Sequence, residues 1–226
     1  MRKDYLAVLY DDVKKPFTDY PNHLTRNLSD RFQIKPKSKL LEVGCGRGEF
    51  LRGFFRCGMD VCGVDQSEMA KTICPEAEFK IANLEEEIPY ENDYFDVVYS
   101  KSVIEHFYHP EKLVAQIYRV LKPGGLVITM TPDWEHHFKN FYDDYTHRTP
   151  FTKTSLEDIL RIYGFENVQV EYFRQLPILW KFPWLQPVSK LARWCAPRSF
   201  GKSCKFIRFS KEVMLLGWGI KPKTGL

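Results

Sequence analysis

Three glycines at alternate positions, Gly44, Gly46 and Gly48, follow the short apolar segment that ends at Val43. Glycine adopts the positive φ angles of a tight turn and lets a ligand approach the main chain without an intervening Cβ. The free N–H groups of the helix expected next attract a carboxylate or a phosphate. The pattern therefore predicts a strand, a turn and a helix N-terminus that together bind the anionic part of a ligand.

The spacing of these glycines excludes two common nucleotide-binding motifs. Counted from Gly44, a dinucleotide fingerprint G-x-G-x-x-G needs a glycine at position 49, where the chain has Glu49. A Walker loop needs lysine and then serine or threonine after its last glycine, and Gly48 is followed by Glu49. The remaining pattern, E-x-G-C-G-x-G from Glu42 to Gly48, resembles motif I of the class I S-adenosylmethionine-dependent methyltransferases.

Later segments match the same family in order and spacing, and the resemblance covers about Lys39 to Thr131. It implies an α/β fold: a Rossmann-like seven-stranded sheet with helices on both faces and the last strand antiparallel between the fifth and the sixth. It also implies S-adenosylmethionine as the cofactor. The matching segments after the glycine turn are Val61–Asp65, Phe95–Ser100, the helix expected at Ser102–Phe107, and Leu121–Thr129.

Apolar periodicity and turn residues place the elements of this fold along the chain. A helix is predicted within residues 19–33, ahead of the first strand, and another over Ser155–Tyr163, ended by Gly164. The predicted strands are 39–43, 60–64, 77–81, 95–99, 125–130, 168–172 and 212–219.

Each part of the cofactor has a predicted partner. Asp65, at the tip of the second strand and 21 residues after Gly44, is placed to accept hydrogen bonds from both ribose hydroxyls. By resemblance, the turn takes the methionine part, Tyr99 to Lys101 lie close to the reacting methyl, and the adenine lies against the loop at Asn83. The family usually has Asp there, so the acceptor for the adenine amino group is a neutral amide oxygen or lies elsewhere. The predicted cofactor-binding residues are Glu42, Gly44, Cys45, Gly46, Gly48, Asp65, Gln66, Asn83, Leu84, Ser100 and Lys101.

The segment after the fifth strand, Thr131–Thr152, carries three of the six histidines. A hydroxyl or ammonium acceptor must lose a proton during methyl transfer, and neutral imidazole suits that task near neutral pH. His147 is the predicted base, with Asp144 to fix its tautomer. One alternative is that both residues only hold the loop together. A metal cluster is the other, and no metal is predicted because neighbouring histidines point apart in most backbone conformations. That cluster would comprise His136, His137, Asp143, Asp144 and His147.

Part of this loop suggests the acceptor. Residues Asp144–Phe151 resemble the D-x-T-H-x-x-P-[FY] signature of the type 11/12 methyltransferases found with bacterial surface-polysaccharide and lipid-linked glycan genes. The resemblance implies methyl transfer to an oxygen of a sugar or of a small lipid-linked glycan-type acceptor. Glu105 and His106 recur in family members with different substrates, so we expect them to be structural.

Three other functions stay open at this point. A quinone or other small-molecule O- or N-methyltransferase fits the same motifs. A nucleic-acid methyltransferase would use the basic residues near the C-terminus, but base-amino methylases place Asn/Asp-Pro-Pro-Tyr/Phe after the fourth strand, where this chain has Tyr99–Ser102. Nucleic acid is therefore not expected as a partner. A non-catalytic S-adenosylmethionine-binding module would show no turnover with any acceptor.

Size and composition predict one domain. The 226 residues, 44% of them hydrophobic, suffice for one substantial core. The six cysteines form no C-x-x-C pair, which predicts reduced thiols in a cytoplasmic protein, and neither a secretory leader nor an apolar run of ~20 residues is predicted. The predicted parts of 1–226 are an N-terminal helical cap (1–33), a cofactor-binding core (34–173), a basic aromatic insertion (174–210) and a final strand with tail (211–226).

The insertion carries charge of one sign. No acid occurs from Gln175 to Lys211, while eight lysines and arginines alternate with tryptophans and phenylalanines. This pattern suits an anionic membrane surface, a polyanion or an anionic substrate. We expect residues 180–209 to form a lid on the acceptor side that makes peripheral contact with the inner face of a membrane. The alternative is a lid that packs on the sheet and keeps its lysines in water.

Overall fold

A computed structural model describes residues 16–195 and 205–223. One seven-stranded sheet forms its centre, in the order β3-β2-β1-β4-β5-β7-β6. Neighbouring strands among β1 to β5 pair parallel, and β7 runs antiparallel to both β5 and β6. The predicted Rossmann-like sheet with its last strand antiparallel is therefore confirmed. The strands are β1 (Lys39–Val43), β2 (Asp60–Asp65), β3 (Glu78–Ile81), β4 (Phe95–Lys101), β5 (Leu121–Pro132), β6 (Glu166–Arg174) and β7 (Val213–Ile220).

Helices cover both faces of this sheet. One buried cluster joins side chains of α1 and α2 to one face, and the other joins side chains of α4 and α6 to the opposite face. Turns of 3-10 helix lie at Ile104–His106, Phe141–Asp143 and Pro183–Leu185. The α-helices are α1 (Tyr20–Arg31), α2 (Glu49–Arg56), α3 (Ala70–Ile73), α4 (Pro110–Val120), α5 (Trp134–His137), α6 (Lys153–Ile162), α7 (Pro177–Lys181), α8 (Gln186–Cys195) and α9 (Lys205–Lys211).

The fifth strand starts earlier than its sequence predicts. Leu121 already pairs with Phe95, and Leu126 pairs with Val97, so the residues between them bulge out of the ladder. Within this bulge Gly124 has a φ of +82°. The Lys-Pro-Gly-Gly segment, which is typical of a turn, thus forms a bulge within β5, because the residues before and after it both pair with β4.

The helix expected at Ser102–Phe107 is wrong in extent. This stretch holds only a single 3-10 turn, and the α-helix starts at Pro110. Ser102 has a φ of +55°, which a right-handed helix does not accept, whereas proline suits the first helical position. The chain therefore leaves β4 as a loop that stays close to the carboxyl edge of the sheet.

The insertion between β6 and β7 contains α7, α8 and α9. Trp180 of α7 packs 5.2 Å from Phe173 and 6.1 Å from Tyr20, measured between ring centroids, which fixes this end of the insertion to the sheet and to α1. Two of the eight basic residues of the insertion, Arg198 and Lys202, lie outside the described residues. No helix of the described ranges is both long and apolar enough to cross a bilayer.

Candidate active site

The glycine turn has the backbone geometry that its sequence predicts. Gly44, Gly46 and Gly48 have φ angles of +68°, +52° and +80°. A Cβ on Gly44 would lie 2.5 Å from Cγ2 of Val103, so this position excludes any side chain. Gly48 is the residue immediately before α2 and directs the helix N-terminus towards the turn. The main chain therefore forms the cradle that an anionic group needs.

Glu42 lies beneath this cradle as a buried carboxyl. Burial raises its pKa well above the ordinary value, and the nearby Asp65 raises it further. Its Oε2 is buried and has no hydrogen-bond partner among the described residues. A cationic group at the turn, such as the amino group of a bound amino acid, would supply the missing partner. The predicted supporting role of Glu42 remains a prediction that this orphaned oxygen favours.

Asp65 ends β2 beside the same turn. Its Oδ2 accepts from the N–H of Gly46 at 2.8 Å, and its Oδ1 accepts from the N–H of Ser67 at 2.9 Å. These two main-chain donors fix the carboxylate of Asp65 beside the turn. Cys45 is buried within the turn, where burial raises the pKa of its thiol and keeps it neutral.

The predicted adenine side is more open. Asn83 is exposed, and its amide oxygen accepts from the N–H of Glu85 at 3.2 Å and lies 3.4 Å from Nε2 of Gln66. Leu84 is buried in the core cluster that includes Ile88. Its side chain supports this loop from below, so only its main chain is left for a direct ligand contact.

The end of β4 turns its side chains into the layers of helices. Tyr99 is fully buried, with its hydroxyl 3.9 Å from the sulfur of Met130, and Ser100 on the opposite face donates to Thr129 at 3.0 Å. Because side chains alternate along a strand, the two residues can offer a ligand only their main chain. That Tyr99 to Lys101 lie close to the reacting methyl stays a prediction. Lys101 is half-buried, with Nζ 5.4 Å from the centre of the Phe50 ring.

The loop after β5 is tied to the carboxyl edge of the sheet at two places. Asp133 and Phe151 form a parallel bridge that closes its base. The carbonyl of Glu105 accepts from the N–H groups of Arg148 and Thr149, at 2.7 and 3.1 Å. These main-chain bonds hold the loop over the end of β4, and the structural role expected of the Glu105 side chain stays a prediction.

His147 is oriented by this loop. Its Nδ1 lies 2.6 Å from the carbonyl oxygen of Phe141, so Nδ1–H donates and Nε2 is left as the acceptor. The Phe141 ring lies 4.5 Å away and the His106 ring 4.9 Å away, between centroids. The prediction that Asp144 fixes the tautomer of His147 is therefore wrong, since a main-chain carbonyl does so.

Asp144 belongs to a neighbouring network. Its Oδ1 accepts from the hydroxyl of Thr146 at 2.6 Å. The hydroxyl oxygen of Thr146 in turn lies 3.0 Å from Nδ1 of His106. Burial alone would raise the pKa of Asp144, but the bonds from Thr146 and the nearby His147 and His106 hold it below its usual range. Burial lowers the pKa of His106, and His147 lowers it further, so His106 stays neutral. A negative charge thus persists near two imidazoles.

Glu105 is the acid that sequence reasoning underestimated. Its Oε2 accepts from the hydroxyl of Thr131 at 3.0 Å, while its Oε1 is buried without a partner among the described residues. Burial raises its pKa to about 7.

Two clusters of side chains could hold a metal ion. Ligand atoms of Glu105, His106 and His147 lie within 4.8 Å of one another, as do those of Asp133, Glu135 and His136. The expectation that no metal binds stays a prediction. Because Glu105 and His147 are 42 positions apart, no local motif announces this cluster.

A cavity of about 620 Å³ lies between the loop after β5 and the insertion. It lies beyond the carboxyl ends of β5 and β6, where the sequence predicts the acceptor side. It is lined by Glu135, His136, His137, Phe138, Lys139, Asn140, Asp143, Arg193, Arg208, Lys211 and Glu212.

Comparison with known proteins identifies the family. The methyltransferase domain matches residues 17–170, which is more than half of the chain. The chain belongs to the S-adenosylmethionine-dependent methyltransferases. A mouse mitochondrial ubiquinone biosynthesis O-methyltransferase is 31% identical over 134 residues, covering 54% of this methyltransferase and 36% of the mouse protein. The match thus spans about a third of that relative.

Solved structures share the fold of this methyltransferase. A methyltransferase from Archaeoglobus fulgidus superposes with a TM-score of 0.66 at 21% identity, covering 96% of this chain and 100% of that one. A phosphoethanolamine N-methyltransferase from Haemonchus contortus, solved with phosphomonomethylethanolamine and S-adenosylhomocysteine, gives a TM-score of 0.67 at 20% identity, covering 97% and 59%. The turn at Gly44, the orphaned oxygen of Glu42 and the carboxylate of Asp65 fit the cofactor of this family.

Proposed function

We propose that this methyltransferase transfers a methyl group to an oxygen of a sugar or of a small lipid-linked glycan-type acceptor. Two features support that acceptor class. The loop segment Asp144–Phe151 resembles the signature of methyltransferases of glycan pathways, and a polar cavity adjoins this loop. The observation that carries the proposal is the orientation of His147, whose Nε2 is an acceptor because Nδ1–H is engaged by a main-chain carbonyl.

The residues of the site then have separate tasks. S-adenosylmethionine supplies, when bound, a methyl group on a sulfonium that leaves as a neutral thioether. The protein must align the acceptor oxygen and remove its proton. His147 takes that proton on Nε2. The resulting imidazolium is stabilised by the carbonyl of Phe141 and by the nearby charge of Asp144.

Replacing the base tests this mechanism. His147→Ala should lower turnover by ~100-fold, because general-base catalysis contributes about that much, and should leave the affinity for S-adenosylmethionine within about twofold. His23→Ala, an exposed histidine on α1, is the matched control. Turnover is measured as S-adenosylhomocysteine released, and affinity by calorimetry. A loss of turnover below about threefold, or a parallel loss of cofactor affinity, would mean that His147 only supports the loop.

A quinone-type hydroxyl acceptor is the second candidate. The identity to the mouse ubiquinone biosynthesis enzyme favours it. A panel of catechol-type phenols, nucleotide sugars and lipid-linked saccharides, assayed for S-adenosylhomocysteine release, separates the two. Turnover restricted to phenols would replace the glycan proposal, and turnover with none of the three classes would overturn it.

A further inference from the structure

The cavity between the loop and the insertion is lined by Arg193 of α8. Arg174, at the end of β6, is not part of that lining but reaches the first residue of the same helix, with Nη1 3.4 Å from Oε1 of Gln186. Neither guanidinium forms an ion pair with an acid in residues 16–195 or 205–223.

An unsatisfied hydrogen-bond donor lies near α8. The Nε of Arg174 is buried without a partner among the described residues, although its Nη1 reaches Gln186. A buried donor without an acceptor costs about 1–3 kcal/mol, so this atom indicates a missing acceptor oxygen near α8.

Two of the three acids in the lining are already engaged by other groups. Glu135 accepts from the hydroxyl of Tyr172 at 2.8 Å, and Glu212 pairs with Arg208 at 2.8 Å. Neither acid therefore neutralises Arg193 within the described part of the chain.

We propose that this cavity binds a phosphate group of the methyl acceptor, with Arg193 as its principal donor. The planar fork of a guanidinium matches two phosphate oxygens, which a lysine does not. The proposal rests on the proposed function and adds to it the chemical class of the acceptor. A phosphate held here would anchor the acceptor between the loop of His147 and the insertion.

Binding of inorganic phosphate tests the site without turnover. By calorimetry, Arg193→Gln should raise the dissociation constant for phosphate at least about fivefold, and Arg193→Lys should recover part of the loss. Lys190→Gln, an exposed change on the same helix, should stay within about twofold. Affinity for S-adenosylmethionine should be equal in all four proteins. No phosphate binding, or equal binding by the wild type and Arg193→Gln, would overturn the proposal.

The source of the phosphate and the proposed function are tested separately. Glycerol 3-phosphate and vesicles with phosphatidic acid compete with inorganic phosphate if the site takes a phosphate monoester, and the more effective of the two identifies a soluble or a lipid source. Phosphate binding without methyl transfer to any phosphate-bearing acceptor would show that the phosphate does not belong to the acceptor. If His147→Ala keeps its turnover while phosphate binding is intact, only the assignment of His147 as the base is overturned.

A separate observation concerns the outer surface of the insertion. Large apolar side chains crowd one short stretch and remain exposed: Trp184 by 72%, Leu191 by 63% and Trp194 by 89%. Val188 and Leu191 are three residues apart on one face of α8, and Trp184 lies in the 3-10 turn just before that helix, while Ser189 is fully buried on the opposite face. This outer stripe comprises Ile178, Phe182, Trp184, Val188, Leu191 and Trp194.

We infer that the outer stripe inserts into the interface of an anionic membrane. Charge complementarity favours an anionic membrane as the partner of the outer stripe, because Lys181 and Lys190 flank the stripe and no acid occurs from Gln175 to Lys211. Basic residues near an anionic bilayer contribute about 1 kcal/mol each, and tryptophans favour the headgroup region. The same helix would thus contact lipid on one face and, through Arg193, the cavity on the other.

Vesicle sedimentation tests this inference. Trp184→Ala combined with Trp194→Ala should lower binding to phosphatidylglycerol-containing vesicles at least about fivefold, and raising NaCl from about 0.05 to 0.5 M should weaken wild-type binding. Ile162→Ser, which removes an apolar side chain 77% exposed on α6, should bind like the wild type. Equal binding by all proteins, binding by none, or a dimer that the double variant abolishes would overturn the inference.

Discussion

The cofactor side and the acceptor side of this methyltransferase differ in the range of their contacts. On the cofactor side, the glycine turn, Glu42 and Asp65 lie within a single strand-turn-helix-strand unit, and the bond from Gly46 to Asp65 closes it. On the acceptor side, His106 contacts Thr146 across the loop, and the cavity joins that loop to the insertion.

This difference has a consequence for substitutions. The cofactor side depends on main-chain angles that a single Cβ disturbs, so it tolerates little change. The acceptor side depends on side chains that can change without touching the turn, so its specificity can vary while the cofactor stays the same. Variants that separate cofactor affinity from turnover therefore test the comparison directly.

The largest effect is expected at Gly44. Gly44→Ala places a Cβ 2.5 Å from Val103 at a φ of +68°, and we expect affinity for S-adenosylmethionine to fall by ~100-fold. Gly58→Ala is matched, because its φ is +88° but its nearest atom, in Pro36, is 3.6 Å away. It should leave the affinity measured by calorimetry nearly unchanged. Equal losses in both variants would mean that backbone strain alone, not the shape of the turn, governs binding.

Glu105 lies where the two sides meet and should make stability depend on pH. Its folded-state pKa of about 7 exceeds its ordinary 4.5, so ionisation is easier in the unfolded chain and stability falls as pH rises between these values. The fall is on the order of 3 kcal/mol. His106, with its lowered pKa, opposes it in part.

Glu105→Gln isolates this contribution. Denaturant unfolding at several pH values between about 4.5 and 7 should give a flatter or rising stability profile for the variant than for the wild type. Parallel profiles for the two proteins would show that Glu105 is already ionised in the folded state.

Asp65 tests the cofactor side through a single charged group. Asp65→Ala removes the hydrogen bonds to both ribose hydroxyls, which at about 1.5–3 kcal/mol should weaken S-adenosylmethionine binding more than tenfold. Asp60→Ala, at the opposite end of β2, is the control. Unchanged calorimetric affinity in Asp65→Ala would exclude Asp65 as the ribose partner.

The smallest effect is expected from metal removal. Dialysis against a chelator should leave turnover within about twofold, because proton removal is assigned to His147 and not to a metal-bound group. If turnover is lost and one divalent cation restores it, then Glu105, His106 and His147 hold that ion, and the acceptor side works by different chemistry.

Much of the fold could be predicted from local signals. The strand order and the glycine turn could be predicted because Gly44 to Gly48 and Asp65 lie near one another in sequence. The end of β4 was harder, since the directions of Tyr99 and Ser100 depend on how that strand aligns with β1 and β5. The short 3-10 turn before Pro110 was not predicted, because the resemblance to the family implies a helix at Ser102–Phe107.

By itself, the sequence determined the family, the cofactor and the residues that form the turn, since glycine spacing acts through local backbone angles. Only the tertiary structure decided what orients His147, that Glu105 lies close to His147, and which arginines face the cavity. The carbonyl that orients His147 belongs to another turn of the same loop, Glu105 meets His147 because that loop folds back over β4, and Arg193 reaches the cavity because α8 packs beside the loop. Tertiary packing brings these residues together, and no local periodicity of the sequence encodes their contacts.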